Sequence, residues 1–247
     1  MEPISTHESI QAYNLPERVA MYDSDMNLMH PNRTKMAEIV LEVVPFSQDA
    51  IFTALDLGVG TGLFSKAILT KFPQCRVIAV DGAVSMIEMA RMRLGSLADR
   101  VDFRVGDFRY LKELLSEGEQ GELVYSAYAL HHLTSQEKLA LIQESLKFLK
   151  PGGWFLNADL VVAADPRIEE RVQRIRVCGI VERAGGRDNR FSDTTSTRAF
   201  LDDLEARDND KPLTLPDDLQ LLKDAGIQNA SVFWAEYREV VIGGSKV

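Results

Sequence analysis

The sequence predicts a doubly wound α/β fold with a mostly parallel sheet and an antiparallel last strand. The first observation is that five short apolar or β-branched runs alternate with helical patterns between residues 50 and 158. The second is that strands separated by helical crossovers must be parallel, and that short crossovers are right-handed. We therefore expect an open sheet with helices on both faces. The five runs are Ile51–Leu57, Val77–Val80, Val101–Val105, Leu123–Ser126 and Trp154–Ala158.

The segments between these runs carry helix signals. Apolar residues recur at helical spacing between residues 139 and 149. Thr134 precedes Glu137 by three residues, which is the capping-box pattern of a helix start. The Pro-Gly-Gly sequence at 151–153 is expected to end this helix before the fifth strand.

Further helical patterns flank and interrupt the predicted sheet. Residues 1–45 are expected to form an N-terminal helical cap, and residues 160–212 an inserted helical lid. The sheet domain would then consist of residues 46–159 and 213–247. The lid helices are expected at Pro166–Arg183 and Ser196–Asp208, and a closing antiparallel strand pair at Ser231–Ala235 and Glu239–Ile242.

Composition limits the classes of partner. The formal net charge of −9 disfavours nucleic acid, because binding to a phosphate backbone draws on clustered Lys and Arg. No apolar run approaches the roughly 18 residues of a membrane-spanning helix, and the start of the chain lacks a signal-peptide pattern. We therefore expect a cytoplasmic protein with no membrane partner.

Cys75 and Cys178 lie far apart and outside any Cys/His cluster, so free thiols and no metal site are expected. The oligomeric state stays open, a homodimer included.

The strongest local signal is a strand that runs into a glycine-rich turn at Leu55–Gly62. Glycines there let the backbone approach a ligand closely, and the helix start that follows offers unpaired N–H groups. A dinucleotide-binding turn would carry a third glycine at position 63, where this chain has Leu. Asp56 at the strand end would repel phosphates and attract an ammonium group. Asp81 ends the second strand, where a carboxylate can accept hydrogen bonds from a ribose diol. These features fit an adenosyl ligand without phosphates.

The sequence resembles the class I S-adenosylmethionine-dependent methyltransferases, which have a Rossmann-like fold, over most of its length. LDLGVGTG at 55–62 resembles their first motif, and VIAVDGAVSMIEMAR at 77–91 their second. VDFRVGDF at 101–108 and YSAYALHHL at 125–133 resemble the third and fourth. LKPGGWF at 149–155 resembles their approach to the fifth strand.

The resemblance implies a cofactor, S-adenosylmethionine, and a set of residues that bind it. In that family the glycines line the methionine and ribose, Asp81 binds the ribose hydroxyls, and Asp107 accepts from the adenine amine. Tyr22 and Arg33 are the candidates for the carboxylate of the cofactor. The full set is Tyr22, Arg33, Asp56, Gly58, Gly60, Gly62, Asp81, Gly82, Met86, Asp107, Phe108, Tyr125, Ser126 and Ala127.

Methyl transfer needs the acceptor atom, the methyl carbon and the sulfur in line, and a base if the acceptor is a hydroxyl or an ammonium. His131 is the better candidate for that base, while His132 fits a packing or cofactor-contact role, and Tyr128 is a further candidate. Both histidines can also be structural. The fourth strand lacks the motif of base-amino methyltransferases, which leaves a small-molecule acceptor as the expected partner.

Two features concern the acceptor. Between residues 167 and 190 there are seven Arg and four acids. This local excess would suit a carboxylate or phosphate on the acceptor, or a solvated helix surface. The C-terminal half also resembles carboxy-S-adenosylmethionine synthase, which implies that Arg198 recognises a carboxylate. The GVGTG loop departs from that enzyme. Three functions remain open: a small-molecule methyltransferase, a cofactor-modifying synthase, and a cofactor-binding module without catalysis.

Overall fold

The computed structural model of the protein describes residues 8–247, so residues 1–7 of the predicted cap lie outside the described residues. Helices and strands alternate through most of this range. The helices are α1 (Glu8–Ala12), α2 (Pro16–Met29), α3 (Arg33–Val43), α4 (Leu63–Lys71), α5 (Val84–Leu94), α6 (Leu111–Leu114), α7 (Ser135–Phe148), α8 (Pro166–Ala184), α9 (Thr194–Asp208) and α10 (Leu215–Ala225). The strands are β1 (Thr53–Leu57), β2 (Arg76–Asp81), β3 (Val101–Val105), β4 (Gly121–Ala127), β5 (Leu149–Leu160), β6 (Ser231–Glu236) and β7 (Glu239–Ser245).

The seven strands form one sheet in the order β3-β2-β1-β4-β5-β7-β6. The first five strands are parallel, β7 runs antiparallel to β5, and β6 runs antiparallel to β7. This confirms the predicted doubly wound fold with its closing antiparallel pair. Leu57 pairs with both Val80 and Ser126, so the carboxyl ends of β1, β2 and β4 lie level at one edge of the sheet.

Alternation along the strands divides the apolar core between the two faces of the sheet. Ala54 belongs to a cluster with residues of α2, α3, α4, α8 and α9, whereas Leu55 and Leu57 belong to a second cluster with α7 and α10. Asp56 therefore shares the face of Ala54, beneath the N-terminal and inserted helices. A carboxylate at this position is shielded from water on the covered side.

The helices outside the sheet pack on one another. The two helices predicted between residues 160 and 212 are present as α8 and α9, where α2 contacts α8 and α1 contacts α9. The predicted capping box is confirmed at the start of α7, where Glu137 N–H donates to the Thr134 hydroxyl.

The start of β5 differs from the prediction. The strand begins at Leu149, ahead of the Pro-Gly-Gly sequence, and its pairing with β4 shifts register before it resumes at Trp154. Gly152 N–H donates to the Lys246 carbonyl at 2.9 Å, and Lys246 N–H donates to the Gly153 carbonyl at 2.7 Å. The chain that follows β7 therefore holds this segment in the sheet, although prolines and glycines usually end an element.

Two further predictions concern the whole chain. Both cysteines are free thiols, Cys75 buried and Cys178 exposed. Within residues 8–247, no helix combines the length and apolar character needed to cross a membrane.

Candidate active site

A cavity of about 930 Å³, open in part to solvent, lies at the carboxyl ends of β1, β2 and β4. We call it the glycine-loop cavity, because Gly58–Thr61 form one of its walls. The predicted site residues that line it are Tyr22, Arg33, Asp56, Gly58, Gly60, Asp81, Gly82, Met86, Asp107, Phe108, Ala127, Tyr128 and His132. The carboxyl end of a doubly wound sheet is where ligands of such folds bind.

The glycine loop uses positive φ angles and close packing. Gly58, Gly60 and Gly62 have φ values of +81°, +52° and +78°. A Cβ on Gly58 would lie 2.6 Å from the Ala129 Cβ, whereas a Cβ on Gly60 would meet no described heavy atom within 4 Å. The loop is therefore tight on the protein side and open on the cavity side. Gly62 lies outside the cavity walls and caps α4 instead.

Asp81 connects the glycine loop, at Gly60, with the turn that follows β2, at Ala83. Its carboxylate accepts hydrogen bonds from the backbone N–H groups of Gly60 and Ala83, each at 2.8 Å. Burial raises the pKa of Asp81 to about 6, although the two backbone hydrogen bonds favour the ionised form. A carboxylate with two N–H partners still has acceptor capacity for hydroxyl groups.

Asp56 is 2% exposed and accepts a 2.6 Å hydrogen bond from the Ser65 hydroxyl. Burial raises its pKa to about 7, against the opposing effect of its hydrogen bonds to Ser65 and Tyr125. The Tyr125 hydroxyl lies 2.8 Å from the Ser65 hydroxyl, and Ser126 donates to the Leu57 carbonyl at 2.8 Å. Tyr125 and Ser126 therefore lie within the sheet and do not line the cavity, although both were predicted to contact the cofactor.

The opposite wall carries Asp107 and Phe108. Asp107 accepts from the Arg109 side chain at 2.6–2.9 Å and from the Arg109 backbone N–H at 3.0 Å. Arg109 was not foreseen from the sequence, and it occupies much of the acceptor capacity of Asp107. Gly82 faces α1, where an added Cβ would lie 2.6 Å from the Ile10 Cδ1.

Arg33 reaches the cavity from the start of α3. Its side chain is 9% exposed and lies 3.4 Å from the Asp23 carboxylate. The Nε atom is buried and has no hydrogen-bond partner within residues 8–247. An unpaired buried guanidinium donor is unfavourable unless a ligand accepts from it. Asp23 also accepts from Thr61 and Arg93, which ties α2 to the glycine loop.

A second cavity of about 1660 Å³, also open to solvent, lies between α2, α8 and α9, and we call it the interhelical cavity. It shares Tyr13, Tyr22 and Tyr128 with the glycine-loop cavity. Three arginines in its walls are paired with acids: Arg18 with Asp208, Arg176 with Glu205, and Arg190 with Asp25. Of the seven arginines between residues 167 and 190, Arg176 and Arg190 are therefore paired with acids from outside that segment.

Tyr128 stands where the two cavities meet. It has a φ of +50°, which is uncommon for a residue other than glycine and is found most often at functional sites. Its hydroxyl donates to the Glu239 carboxylate at 2.5 Å, and burial raises its pKa well above 10. The phenol therefore keeps its proton.

His131 lines the interhelical cavity and forms a pair with Asp159 at the end of β5. The Nδ1 atom lies 2.6 Å from the Asp159 carboxylate, which also accepts from the His131 backbone N–H at 3.0 Å. Burial lowers the pKa of His131, but the Asp159 carboxylate more than offsets this, and the net pKa is raised above 6.5. Because a carboxylate only accepts, Nδ1 carries the hydrogen and neutral His131 has its lone pair on Nε2.

His132 lies on the other side of the same turn and lines the glycine-loop cavity. Its Nε2 is 3.2 Å from the Tyr13 hydroxyl, and its Nδ1 is 2.9 Å from an Asp210 oxygen. Burial lowers the pKa of His132, and the neighbouring His131 adds to this. The two adjacent histidines therefore have opposite pKa shifts.

Arg198 lies away from the walls of both cavities. It donates to Gln173 at 2.9 Å and forms ion pairs with Asp202 at 2.7 Å and Glu205 at 3.4 Å. Its two terminal nitrogens are thus engaged by neighbours on α8 and α9, whereas its buried Nε has no hydrogen-bond partner within residues 8–247.

Several site residues were missed by the sequence reasoning. Asp159 is the penultimate residue of β5 at the ligand edge, and this position could have been recognised from the strand pattern. Tyr13, Asp208, Asp210 and Glu239 lie in segments whose sequence gives no comparable signal, because only the packing of the helices brings them to the cavities.

Residues 54–153 match a family model described as a methyltransferase domain. A malonyl-[acyl-carrier protein] O-methyltransferase of Ilyobacter polytropus is 32% identical over 44% of this chain and 39% of its own length. A carboxy-S-adenosyl-L-methionine synthase of Shewanella loihica is 24% identical over 92% of this chain and 90% of its own. The chain spans about half or less of the length of several relatives that it matches.

Among solved structures, an O-methyltransferase family protein of Burkholderia thailandensis has a TM-score of 0.65 at 17% identity. It aligns with 95% of this chain, which covers 61% of that protein, and the likeness supports the fold. The family model identifies residues 54–153 as a methyltransferase domain, and with the full-length relative it supports the resemblance to S-adenosylmethionine-dependent methyltransferases and S-adenosylmethionine as the cofactor.

Proposed function

We propose that the protein transfers the methyl group of S-adenosylmethionine, bound in the glycine-loop cavity, to a small molecule bound in the interhelical cavity. The observation that carries this proposal is that the two cavities meet at Tyr13, Tyr22 and Tyr128. A cofactor and an acceptor in adjoining cavities can be held in line, and orientation of this kind supplies on the order of 7–11 kcal/mol in favourable cases.

In this proposal each cofactor group has a chemically matched partner. The Asp81 carboxylate accepts from the ribose hydroxyls, and the unpaired Nε of Arg33 donates to the cofactor carboxylate. Asp56 supplies negative charge for the ammonium group, and Met86 and Phe108 contact the adenine. The cofactor supplies a methyl group on a positively charged sulfur, and the protein binds, orients and excludes water.

His131 takes the acceptor proton in this proposal. Its Nδ1 hydrogen is held by Asp159, so that in the neutral form Nε2 is the basic atom. The arrangement follows the logic by which a carboxylate fixes the orientation of a catalytic imidazole and stabilises the imidazolium that forms. It favours an acceptor that must lose a proton, a hydroxyl or an ammonium. His132, on the cofactor side, would shape the cavity.

The inserted segment 160–212 and the cap 1–45 act as covers in this proposal. Within residues 8–247, the helices of these segments form most of the interhelical cavity wall. Three of the four arginines in this wall already have acid partners, and the fourth, Arg207, is exposed, so the wall offers a carboxylate on the acceptor no buried unpaired arginine. We therefore favour a largely uncharged acceptor over the carboxylate-bearing one expected from the sequence.

Full-length similarity to a carboxy-S-adenosylmethionine synthase supports a second candidate, in which the cofactor itself is modified. The commitment of Arg198 to Gln173, Asp202 and Glu205 counts against it. Mass spectrometry separates the candidates. The protein is incubated with S-adenosylmethionine and panels of hydroxyl, amine and carboxylate compounds, with Asp81→Asn as the control variant. A methylated acceptor with S-adenosylhomocysteine supports methyl transfer, and a carboxylated cofactor supports the synthase. No change in any mass, with tight cofactor binding, would leave a binding module.

A further inference from the structure

His131, His132 and Asp210 bring three ligand atoms together between the two cavities. These atoms all lie within 4.8 Å of one another, and an Asp210 oxygen is 3.7 Å from His131 Nε2 and 2.9 Å from His132 Nδ1. The three side chains are at most 17% exposed. The positions of the hydrogen atoms determine whether these three buried groups attract or repel one another.

For His132, the nitrogen that carries the hydrogen depends on where the Tyr13 hydroxyl donates. The Tyr13 hydroxyl lies 3.2 Å from both the Asp208 carboxylate and His132 Nε2, and when it donates its one hydrogen to Asp208 its oxygen accepts from Nε2. In that arrangement neutral His132 carries its hydrogen on Nε2, and its Nδ1 has the lone pair. Burial raises the pKa of Tyr13 well above 10, which keeps the phenol protonated in this chain of contacts.

The same reasoning applies to His131, whose Nδ1 hydrogen is held by Asp159 and whose Nε2 carries the lone pair. Three atoms with lone pairs thus face one another, with no hydrogen between them when both histidines are neutral. His132 Nδ1 and the Asp210 oxygen are both buried and have no hydrogen-bond partner in the described part of the chain. Two unpaired buried acceptors at 2.9 Å repel each other unless a proton or a metal ion lies between them.

We propose that His131 Nε2, His132 Nδ1 and the Asp210 carboxylate bind a divalent transition-metal ion of the zinc class. Two imidazoles and one carboxylate are a ligand set that Zn²⁺ accepts, and three protein ligands leave a fourth position open. Bonds of about 2.0–2.2 Å in a tetrahedral site place ligand atoms about 3.4 Å apart, and the Asp210 oxygen now lies 2.9 and 3.7 Å from the two imidazole nitrogens. Asp159, held to the far nitrogen of His131, matches the carboxylate–histidine–metal arrangement that orients metal ligands.

This inference goes beyond the proposed function and does not depend on it. A bound ion would occupy the Nε2 lone pair that the proposed function assigns to proton uptake. Metal-loaded and metal-free protein would therefore differ in activity, but the binding itself can be measured without any acceptor.

The test uses the full chain, stripped with a chelator and titrated with Zn²⁺ by calorimetry and with Co²⁺ by absorption spectroscopy. The expected result is one ion per chain and visible Co²⁺ bands of a tetrahedral site. Asp210→Asn should weaken Zn²⁺ binding at least tenfold, and Asp159→Asn by roughly 10- to 100-fold. Asp203→Asn, an exposed acid on α9, is the matched control and should bind as the unaltered protein does.

A measurement on the unaltered protein guards against variants that fail to fold. The chain has four histidines, and Zn²⁺ should shift the imidazole nitrogen resonances of two of them, His131 at Nε2 and His132 at Nδ1. Absence of both the Co²⁺ bands and these shifts would overturn the proposal. Equal Zn²⁺ affinity in Asp210→Asn and Asp203→Asn would also overturn it. Failure to find any methylated acceptor would leave the metal site standing.

Discussion

Asp81→Asn should weaken the binding of S-adenosylhomocysteine while leaving the fold intact. The carboxylate of Asp81 accepts from Gly60 and Ala83 and, in the proposed function, from the ribose hydroxyls. The amide keeps one acceptor oxygen but replaces the other with an N–H₂ donor, so at least one hydrogen bond to a charged acceptor is lost. Such a bond contributes about 1.5–3 kcal/mol, which corresponds to a rise in Kd of about 13- to 160-fold.

The free protein should tolerate this change because two effects on its stability oppose each other. Loss of a backbone hydrogen bond destabilises the loop, but removal of the buried charge is favourable. A pKa of about 6 in place of 3.8 corresponds to about 3 kcal/mol of unfavourable burial when Asp81 is ionised at neutral pH. We therefore expect a large change in affinity with a small change in the thermal unfolding midpoint.

Isothermal titration calorimetry at pH 7.5, alongside thermal unfolding, measures both quantities. Asp99→Asn, at an exposed position, is the matched control. The reasoning would be refuted by equal affinities for the two variants. It would also be refuted if Asp81→Asn unfolded at a much lower temperature, since Asp81 would then be a structural residue of the loop.

Three further outcomes are expected. His131→Gln and Asp159→Asn should lower the single-turnover rate of methyl transfer far more than cofactor affinity, and equal losses in both quantities would argue for a structural pair. The rate should rise with pH through the pKa of His131, which lies above 6.5. In Asp159→Asn the rise should move to lower pH, because the largest effect that opposes burial is then removed; an unmoved profile contradicts this. S-adenosylhomocysteine should protect residues 185–195 from limited proteolysis, because we expect the glycines at 185 and 186 to serve as the hinge of the inserted segment. Identical digests with and without S-adenosylhomocysteine would exclude closure of this segment.

Local patterns predict the sheet and the glycine loop well because both depend on short-range chemistry. The alternation at Ala54–Leu57 decides which side chains face each helical layer, and the loop glycines have the positive φ angles that the turn requires. The start of β5 was predicted less well. The Pro-Gly-Gly sequence remains in the sheet because Lys246, almost one hundred residues away, pairs with it. No window of local sequence contains that contact.

The residues of the candidate site also fall into two groups, those that local sequence predicts and those that it does not. Residues at strand ends, such as Asp81, lie along the cavity because the topology brings strand ends to one edge. The positions of the site residues that come from helices depend on how separate segments pack. Arg198 pairs with Gln173 and Glu205, and Asp210 reaches both histidines, although neither arrangement follows from residue spacing. The sequence expectation of no metal site relied on cysteine spacing, which says nothing about a ligand from a distant turn.

Asp56 and Asp81 lead to a last prediction, on how the cofactor stabilises the fold. Burial raises their pKa values to about 7 and about 6, so each ionised carboxylate destabilises the free protein. The sign follows from proton binding: the folded state holds more protons than the unfolded state between pH 3.8 and 7, so these groups make stability fall as pH rises through that window.

An ammonium group beside Asp56 and ribose hydroxyls on Asp81 favour the ionised forms, so bound S-adenosylhomocysteine should remove much of this cost. The shift in unfolding midpoint that a fixed excess of S-adenosylhomocysteine produces should therefore be larger at pH 8 than at pH 5. In Asp81→Asn the difference between the two pH values should shrink. A shift that is equal at both pH values in the unaltered protein would mean that neither carboxylate meets the ligand in its ionised form, and the assignment of this cavity to the cofactor would have to be revised.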